Sequence, residues 1–138
     1  MSVSYLRIKP DQQQRLVHEY AQFKAVVIAE LDVDSDFRHT ISKWLVESGC
    51  LYMMAWGKEC QKWDDSVDYA NLEAFDFGEI PESSFVMTTW HDNESLLEVF
   101  WFAKFCARHP EVDLKDTLLL HISENNSDKE ILSSYESV

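Results

Sequence analysis

Glycine is scarce in this sequence, which contains three glycines among 138 residues. Glycine-rich loops such as G-x-G-x-x-G and the P-loop let the backbone approach the phosphates of a nucleotide, and neither motif occurs here. No other cofactor motif is present. We therefore predict that the protein has no nucleotide cofactor and works without a cofactor of any kind.

Long apolar runs are also missing. No stretch approaches the roughly 20 residues that a membrane helix needs, and no basic segment followed by an apolar one opens the chain as a signal peptide would. The three cysteines (Cys50, Cys60 and Cys106) make an odd number, and no two of them are two residues apart. We predict a cytoplasmic protein with reduced thiols, no membrane partner and no zinc site.

Basic residues are few, with 12 lysines and arginines against 25 acidic residues and a net charge of −13. Residues 58–98 hold eleven of the acids and two of the bases, so this third carries most of the charge. Such a field repels nucleic acid and attracts basic proteins or cations. A simpler explanation is that the acid only keeps a protein with 46% hydrophobic residues soluble.

Helical and strand-like segments alternate along the chain. The patterns predict helices over about 10–22, 37–48, 58–75 and 94–108, and apolar strands over 23–29, 50–56, 85–90 and 114–122. This alternation is typical of an α/β protein, a three-layer α/β/α sandwich around a mostly parallel sheet of about four strands. It is Rossmann-like without a nucleotide motif. We expect a single domain over 1–138 with its core at about 10–123.

The two ends of the chain are harder to interpret. Residues 1–9 are mixed in character and form either an arm or a short edge strand. The polar tail over 124–138 has three apolar residues able to anchor it, and it forms one or two helical turns or remains disordered.

The helix over 94–108 is apolar on nearly every side, which predicts that it is buried or covered by a partner. A homodimer through this aromatic helix is one way to cover it. Asp92 or Asn93 is placed to cap its first turn, and Pro110 stops it.

The strongest binding candidate lies on the predicted helix over 58–75. Asp64 and Asp68 are one turn apart and Asp65 is adjacent, so these carboxylates can share a cation or bind the lysines and arginines of a partner. Glu59 would add to the charged contacts, and Trp63 would serve as an apolar anchor. The alternative is an ordinary solvated helix face.

A second candidate site uses the carboxyl ends of the predicted strands, where ligands bind in open α/β sheets. His91 and Asp92 follow one strand, and Asp32 and Asp34 follow another. A histidine beside carboxylates is able to act as a general base or to bind a divalent metal. In the simpler interpretation Asp92 caps a helix and His91 is an ordinary loop residue.

Two segments carry a resemblance to a known family. The first contains Trp56-Gly57 and Trp63-Asp64-Asp65-Ser66-Val67-Asp68, and the second contains Thr88-Thr89-Trp90-His91-Asp92 and Trp101-Phe102-Ala103. Over roughly residues 23–123 the chain resembles a family of small bacterial α/β proteins of unknown function. That family has no established activity, so the resemblance implies no catalytic residue. In size and acidity the chain is also similar to immunity proteins that neutralise bacterial toxins.

Together these features predict a non-enzymatic acidic binding protein with a basic protein partner and no nucleic-acid partner. The expected role is that of an immunity protein, which inhibits a basic bacterial toxin such as a nuclease by covering its active site. The alternative is a small hydrolase or metal-dependent enzyme that uses His91 and Asp92.

Overall fold

The computed structural model describes residues 2–11 and 20–138, which form a sheet flanked by helices. The strands are β1 (Ser2–Ile8), β2 (Phe23–Ala29), β3 (Cys50–Gly57), β4 (Met87–His91) and β5 (Asp116–Ile122). The α-helices are α1 (Ser35–Ser48), α2 (Cys60–Ala74), α3 (Leu96–Phe105) and α4 (Asp128–Glu136), and one 3-10 turn spans Glu82–Ser84.

All five strands are parallel, in the order β1-β5-β2-β3-β4. Helices α1 and α2 pack against each other on one face, and α3 and α4 cover the other face. The predicted three-layer α/β/α sandwich is confirmed, with one strand more than the four expected. Because β5 returns between β1 and β2, β4 is left at an edge of the sheet.

The central strands are buried because both of their faces are covered by helices. Every residue of β2 is buried, and its side chains alternate between two clusters, with Val27 on the α1–α2 side and Val26 on the α3–α4 side. This explains why every residue of the strand except Lys24 is apolar.

Both ends of the chain belong to the fold. The residues expected as an arm or a short edge strand form the edge strand β1, which pairs along its whole length with β5 and ends at the buried Ile8. The polar tail forms α4, which inserts Ile131 and Tyr135 into the core beside Phe100. The predicted core over 10–123 was therefore too short at both ends.

The helix predicted over about 10–22 falls mostly outside the described residues, which omit 12–19. Its last part is not helical, since residues 20–22 are irregular and lead into β2 at Phe23.

Helix α3 is buried on one side only, although its sequence predicted burial all round. Val99, Phe100 and Ala103 are buried, whereas Leu97, Trp101 and Phe105 are each about half exposed. The three exposed side chains lie four residues apart and form one outward stripe. A homodimer through this stripe stays a prediction.

Candidate functional site

Helix α2 lies over β3 and β4 and brings the acidic third of the chain to the edge of the sheet. Its inner stripe packs into the core through Trp63, which is 1% exposed, and through Val67. The prediction that Trp63 is an anchor for a partner is wrong, because a side chain at this depth does not reach a partner's surface. Its spacing with Cys60 and Val67 follows the buried face of the helix.

Asp64, Asp65 and Asp68 form a group of carboxylates on the side of α2 that faces β4; we call this group the acidic cluster. One carboxylate oxygen from each residue lies within 4.8 Å of the other two. Asp65 and Asp68 are exposed, but Asp64 is only 4% exposed. Folding thus brings three like charges together and removes one of them from water.

Thr88 of β4 is the neighbour that contacts the acidic cluster. Its hydroxyl oxygen lies 2.7 Å from Oδ1 of Asp68 and 3.2 Å from Oδ1 of Asp64. Since one hydroxyl has a single hydrogen to donate, it satisfies only one of these oxygens at a time. The second oxygen of Asp64, Oδ2, is buried and has no hydrogen-bond donor among the described residues.

This environment changes the acidity of Asp64. Burial, and then the charge of Asp68, raise the pKa of Asp64 to about 6, while the hydrogen bond from Thr88 acts in the opposite direction. Above that pH the buried carboxylate of Asp64 is charged, although its Oδ2 has no donor among the described residues.

A cation from outside would relieve the repulsion within the acidic cluster. The guanidinium of an arginine or the ammonium of a lysine would donate to the exposed carboxylates of Asp65 and Asp68 and neutralise their repulsion with Asp64. A hard divalent cation such as Mg²⁺ also prefers carboxylate oxygens. The arrangement is therefore suited to cation recognition.

Glu59 precedes α2 and is already engaged within the chain. Its carboxylate accepts a hydrogen bond of 2.8 Å from Arg38 and lies 3.6 Å from Nζ of Lys62. Its backbone has a left-handed conformation with φ of 54°, which few non-glycine residues adopt. The ion pair with Arg38 ties α2 to α1, so Glu59 has a structural contact in addition to its predicted role in binding.

An apolar groove adjoins the acidic cluster along β4. This edge groove has a volume of about 310 Å³ and is lined by Asp68, Asn71, Leu72, Ile80, Phe85, Met87 and Thr88. Leu72 and Phe85 are 41% and 46% exposed. At the other end of the strand the indole of Trp90 is 49% exposed. The edge thus combines concentrated negative charge with accessible apolar surface.

The second candidate site is not assembled as the sequence suggested. His91 is buried, its Nδ1 lies 3.0 Å from a Glu94 carboxylate oxygen, and its Nε2 lies 2.8 Å from the Thr89 hydroxyl. Its ring also packs edge-on against Phe102. Both nitrogens of His91 therefore have partners other than the predicted Asp92, which is exposed.

Asp32 and Asp34 follow β2 and have contacts of their own. The carboxylate of Asp34 accepts a hydrogen bond of 2.8 Å from the backbone N–H of Phe37 and caps α1. Asp32 lies 3.8 Å from Nζ of Lys58. Within the described chain, no hydrogen bond or ion pair joins either residue to His91.

One polar network at the carboxyl end of the sheet was not predicted. His121, which is 1% exposed, lies 2.6 Å from the hydroxyl of Tyr5 and 2.9 Å from a Glu30 carboxylate oxygen. The network joins β1, β5 and the end of β2, which are far apart in sequence. It satisfies a buried histidine and holds the sheet together.

The contact of Thr88 with the acidic cluster was not predicted from the sequence either. A usable signal was the period of two along Val86, Thr88 and Trp90, which puts these side chains on the face of β4 covered by α2. The sequence alone does not show which helix covers that face, because the contact between α2 and β4 depends on the strand order.

The cysteines have no role at this edge. Cys50 and Cys60 are buried, and burial raises the pKa of the Cys50 thiol to about 12, which keeps it protonated. Cys106 is exposed and directly follows the last residue of α3.

Among the described residues, no helix has the length and apolar character needed to cross a membrane. No curated protein and no solved structure matches the chain. A family model does match residues 3–138, which is nearly the whole sequence. The match confirms the resemblance to a family of unknown function and extends it to both ends of the chain. The chain belongs to the family described as a domain of unknown function (DUF7684).

Proposed function

We propose that this chain is a non-enzymatic binding protein whose acidic edge, formed by α2 and β4, binds a basic protein. The class of partner that fits best is a toxin with a positively charged substrate cleft, such as a nuclease, which the chain would inhibit as an immunity protein. The single observation that carries this proposal is the acidic cluster itself: three carboxylates lie within 4.8 Å of one another, and two of them, Asp65 and Asp68, are exposed to a partner.

The buried carboxylate of Asp64 lowers the stability of the folded chain, and this loss of stability supports a role in binding. An acid that is buried beside like charges destabilises the folded chain whenever it is ionised. A stability optimum would place an amide or an apolar residue there, and residues that oppose stability are concentrated at functional sites. A partner's arginine or lysine on the exposed Asp65 and Asp68 would reduce the repulsion within the acidic cluster.

The distribution of charge supports the same role. Residues 58–98, which include α2 and β4, hold eleven acids and two bases, and an excess of negative charge increases the rate of encounter with a basic protein. Electrostatic steering of this kind suits an inhibitor, since an inhibitor must reach its target before the target reaches its substrate.

The enzyme alternative receives less support. A general base needs a ring nitrogen or carboxylate that is free to reach the substrate. Both nitrogens of His91 have partners, and Asp34 caps a helix. A metal-dependent activity would have to use the acidic cluster instead.

The test begins with capture of the partner from the cells that make this protein. The captured basic protein should be released above about 0.5 M salt, where the Debye length falls to a few ångströms. Its association rate is then measured with the double variant Asp65→Lys/Asp68→Lys. Both positions are exposed, so the variant keeps the fold, whereas a lysine in place of Asp64 would be buried.

We expect the association rate at low salt to fall by about tenfold or more, because steering accounts for 10–10³-fold in such pairs. The matched control is Glu111→Lys/Glu130→Lys, which changes the net charge equally at exposed positions outside this edge. An equal loss in both variants would make the effect one of net charge alone. If no basic protein is captured and Mg²⁺, Mn²⁺ or Zn²⁺ raises the melting temperature, the enzyme alternative replaces the proposal.

A further inference from the structure

Strand β4 presents an edge without the usual protection. It pairs with β3 on one side and is the last strand in the sheet order, so its other side has no strand partner within residues 2–11 and 20–138. Natural edge strands are guarded by lysine, proline or a bulge, which prevent pairing with other chains. The five residues of β4 include no lysine and no proline, and their register with β3 is continuous.

The surface beside this edge has three features that a bound segment would contact: the acidic cluster, the indole of Trp90 and the edge groove. On the α2 side of the strand, Thr88 contacts the acidic cluster, and two residues further along is the exposed Trp90. In the other direction the edge groove opens between Leu72 and Phe85. Side chains two residues apart on a strand are separated by about 7 Å, so an added strand would present alternate residues to these features.

We infer that the partner binds by adding an extended segment to the free edge of β4, with an arginine or lysine on the acidic cluster and an apolar residue two positions away in the edge groove. This inference rests on the proposed function, because it describes how the basic partner is held. The backbone of the added strand would pair with β4, as in other complexes formed by strand addition.

The negative charge beside β4 favours a basic segment of a partner over a second copy of the chain as the occupant of this edge. Antiparallel pairing of two β4 strands would place both α2 helices on the same face of the joined sheet. The two acidic clusters would then repel each other, whereas a basic segment neutralises one cluster. The complementary occupant is therefore a strand that places a cationic side chain opposite Thr88, next to the acidic cluster.

The inference is tested with synthetic peptides of about nine residues, long enough to span β4. The test peptide is built on threonine and serine and has one arginine, with an isoleucine two residues from it. Binding is followed by fluorescence anisotropy, and amide shifts in NMR spectra locate the site. The control peptide has the same composition with the isoleucine adjacent to the arginine, which sends the two side chains to opposite faces.

We expect the control peptide to bind at least about tenfold more weakly, and the variant Asp68→Asn to weaken the test peptide by a similar factor. Two methylated peptides give the signature of strand addition, one methylated at the odd-numbered amides and the other at the even-numbered amides. One of them should lose binding while the other keeps it, since only alternate amides of a strand face its neighbour.

Equal binding of both methylated peptides, or amide shifts remote from β4, would overturn the inference. If the peptides fail while the Asp65→Lys/Asp68→Lys variant still slows association of the captured partner, the proposed function stands and the strand-addition mode is wrong. A dimer that forms through β4 without peptide, detected by sedimentation and NMR, would assign the edge to self-association and would also overturn the inference.

Discussion

When the chain folds, the carboxylate of Asp64 loses nearly all of its contact with water and gains one shared donor, the hydroxyl of Thr88. The pKa of Asp64 is about 6 in the folded chain and near 3.8 without these surroundings. Folding therefore favours the protonated form. The contribution of Asp64 to stability is most favourable below about pH 4, falls as the pH rises from about 4 to 6, and remains unfavourable above that range.

The variant Asp64→Asn should accordingly stabilise the protein at neutral pH. An amide has no charge, can still accept from Thr88, and can donate to the Asp68 carboxylate. One pKa unit corresponds to about 1.4 kcal/mol, so the full shift would give about 3 kcal/mol; allowing for solvent at the exposed Asp68, we expect a gain of about 1–2 kcal/mol. Urea denaturation at pH 7.5 and at pH 4.5 measures it, and the gain should shrink at the lower pH.

Asp65→Asn is the control, because it removes the same charge at an exposed position one residue away. It should change the unfolding free energy by less than about 0.5 kcal/mol. An equal gain from both variants would mean that the effect is general repulsion. No gain from Asp64→Asn would remove the argument that stability is sacrificed at this position.

Among the elements, α3 shows how a local signal decides where a helix begins. The hydroxyl of Ser95 accepts a hydrogen bond from the backbone N–H of Glu98, and the Glu98 carboxylate accepts one from the N–H of Ser95. This capping box replaces the caps predicted at Asp92 and Asn93. Asn93 has a positive φ and belongs to the preceding turn.

Ser95→Ala should therefore destabilise the protein by about 1 kcal/mol, the usual loss when a capping hydroxyl is removed. Thermal and urea denaturation measure the change. Asp92→Ala is the matched control and should stay within about 0.5 kcal/mol of the wild type. A larger loss for Asp92→Ala than for Ser95→Ala would restore the cap first predicted from the sequence.

The sequence predicted elements well where one face or the whole element is apolar. The strands β2, β3 and β5 read as buried runs, and the predicted end of α1 at residue 48 is confirmed, with Gly49 following in a positive-φ conformation. Strand β1 gave no clear signal because most of its residues are half buried. The exposed stripe of α3 was missed because composition does not reveal which neighbours cover a helix.

Strand order could not be predicted, because it depends on contacts between residues far apart in sequence. The return of β5 to a place between β1 and β2 leaves β4 at the edge and puts α2 beside it. For the same reason the sequence predicted which residues form the acidic cluster but not how deeply each of them is buried. Asp64 and Trp63 are buried and Trp90 is exposed, and the order of the strands decides all three.

At the scale of the whole molecule, the charge of −13 is unevenly placed along the chain, since residues 58–98, which include α2 and β4, hold eleven acids and two bases. Self-repulsion of this kind opposes the compact state and is screened by salt. Charges within the acidic cluster are close enough for the repulsion to matter, since two unit charges 4 Å apart repel by about 1 kcal/mol even in water.

Sodium chloride should therefore stabilise the protein. Between about 0.01 and 0.3 M we expect the unfolding free energy to rise by about 1 kcal/mol, which for a chain of this size is about 3–5 °C in melting temperature. The rise should be smaller in Asp65→Lys/Asp68→Lys, where the repulsion is already relieved, than in Glu111→Lys/Glu130→Lys. Potassium chloride should give the same curve, because screening does not depend on the cation. A melting temperature that is flat or falls with salt would show that the acidic edge costs no stability, and the electrostatic argument for its function would then fail.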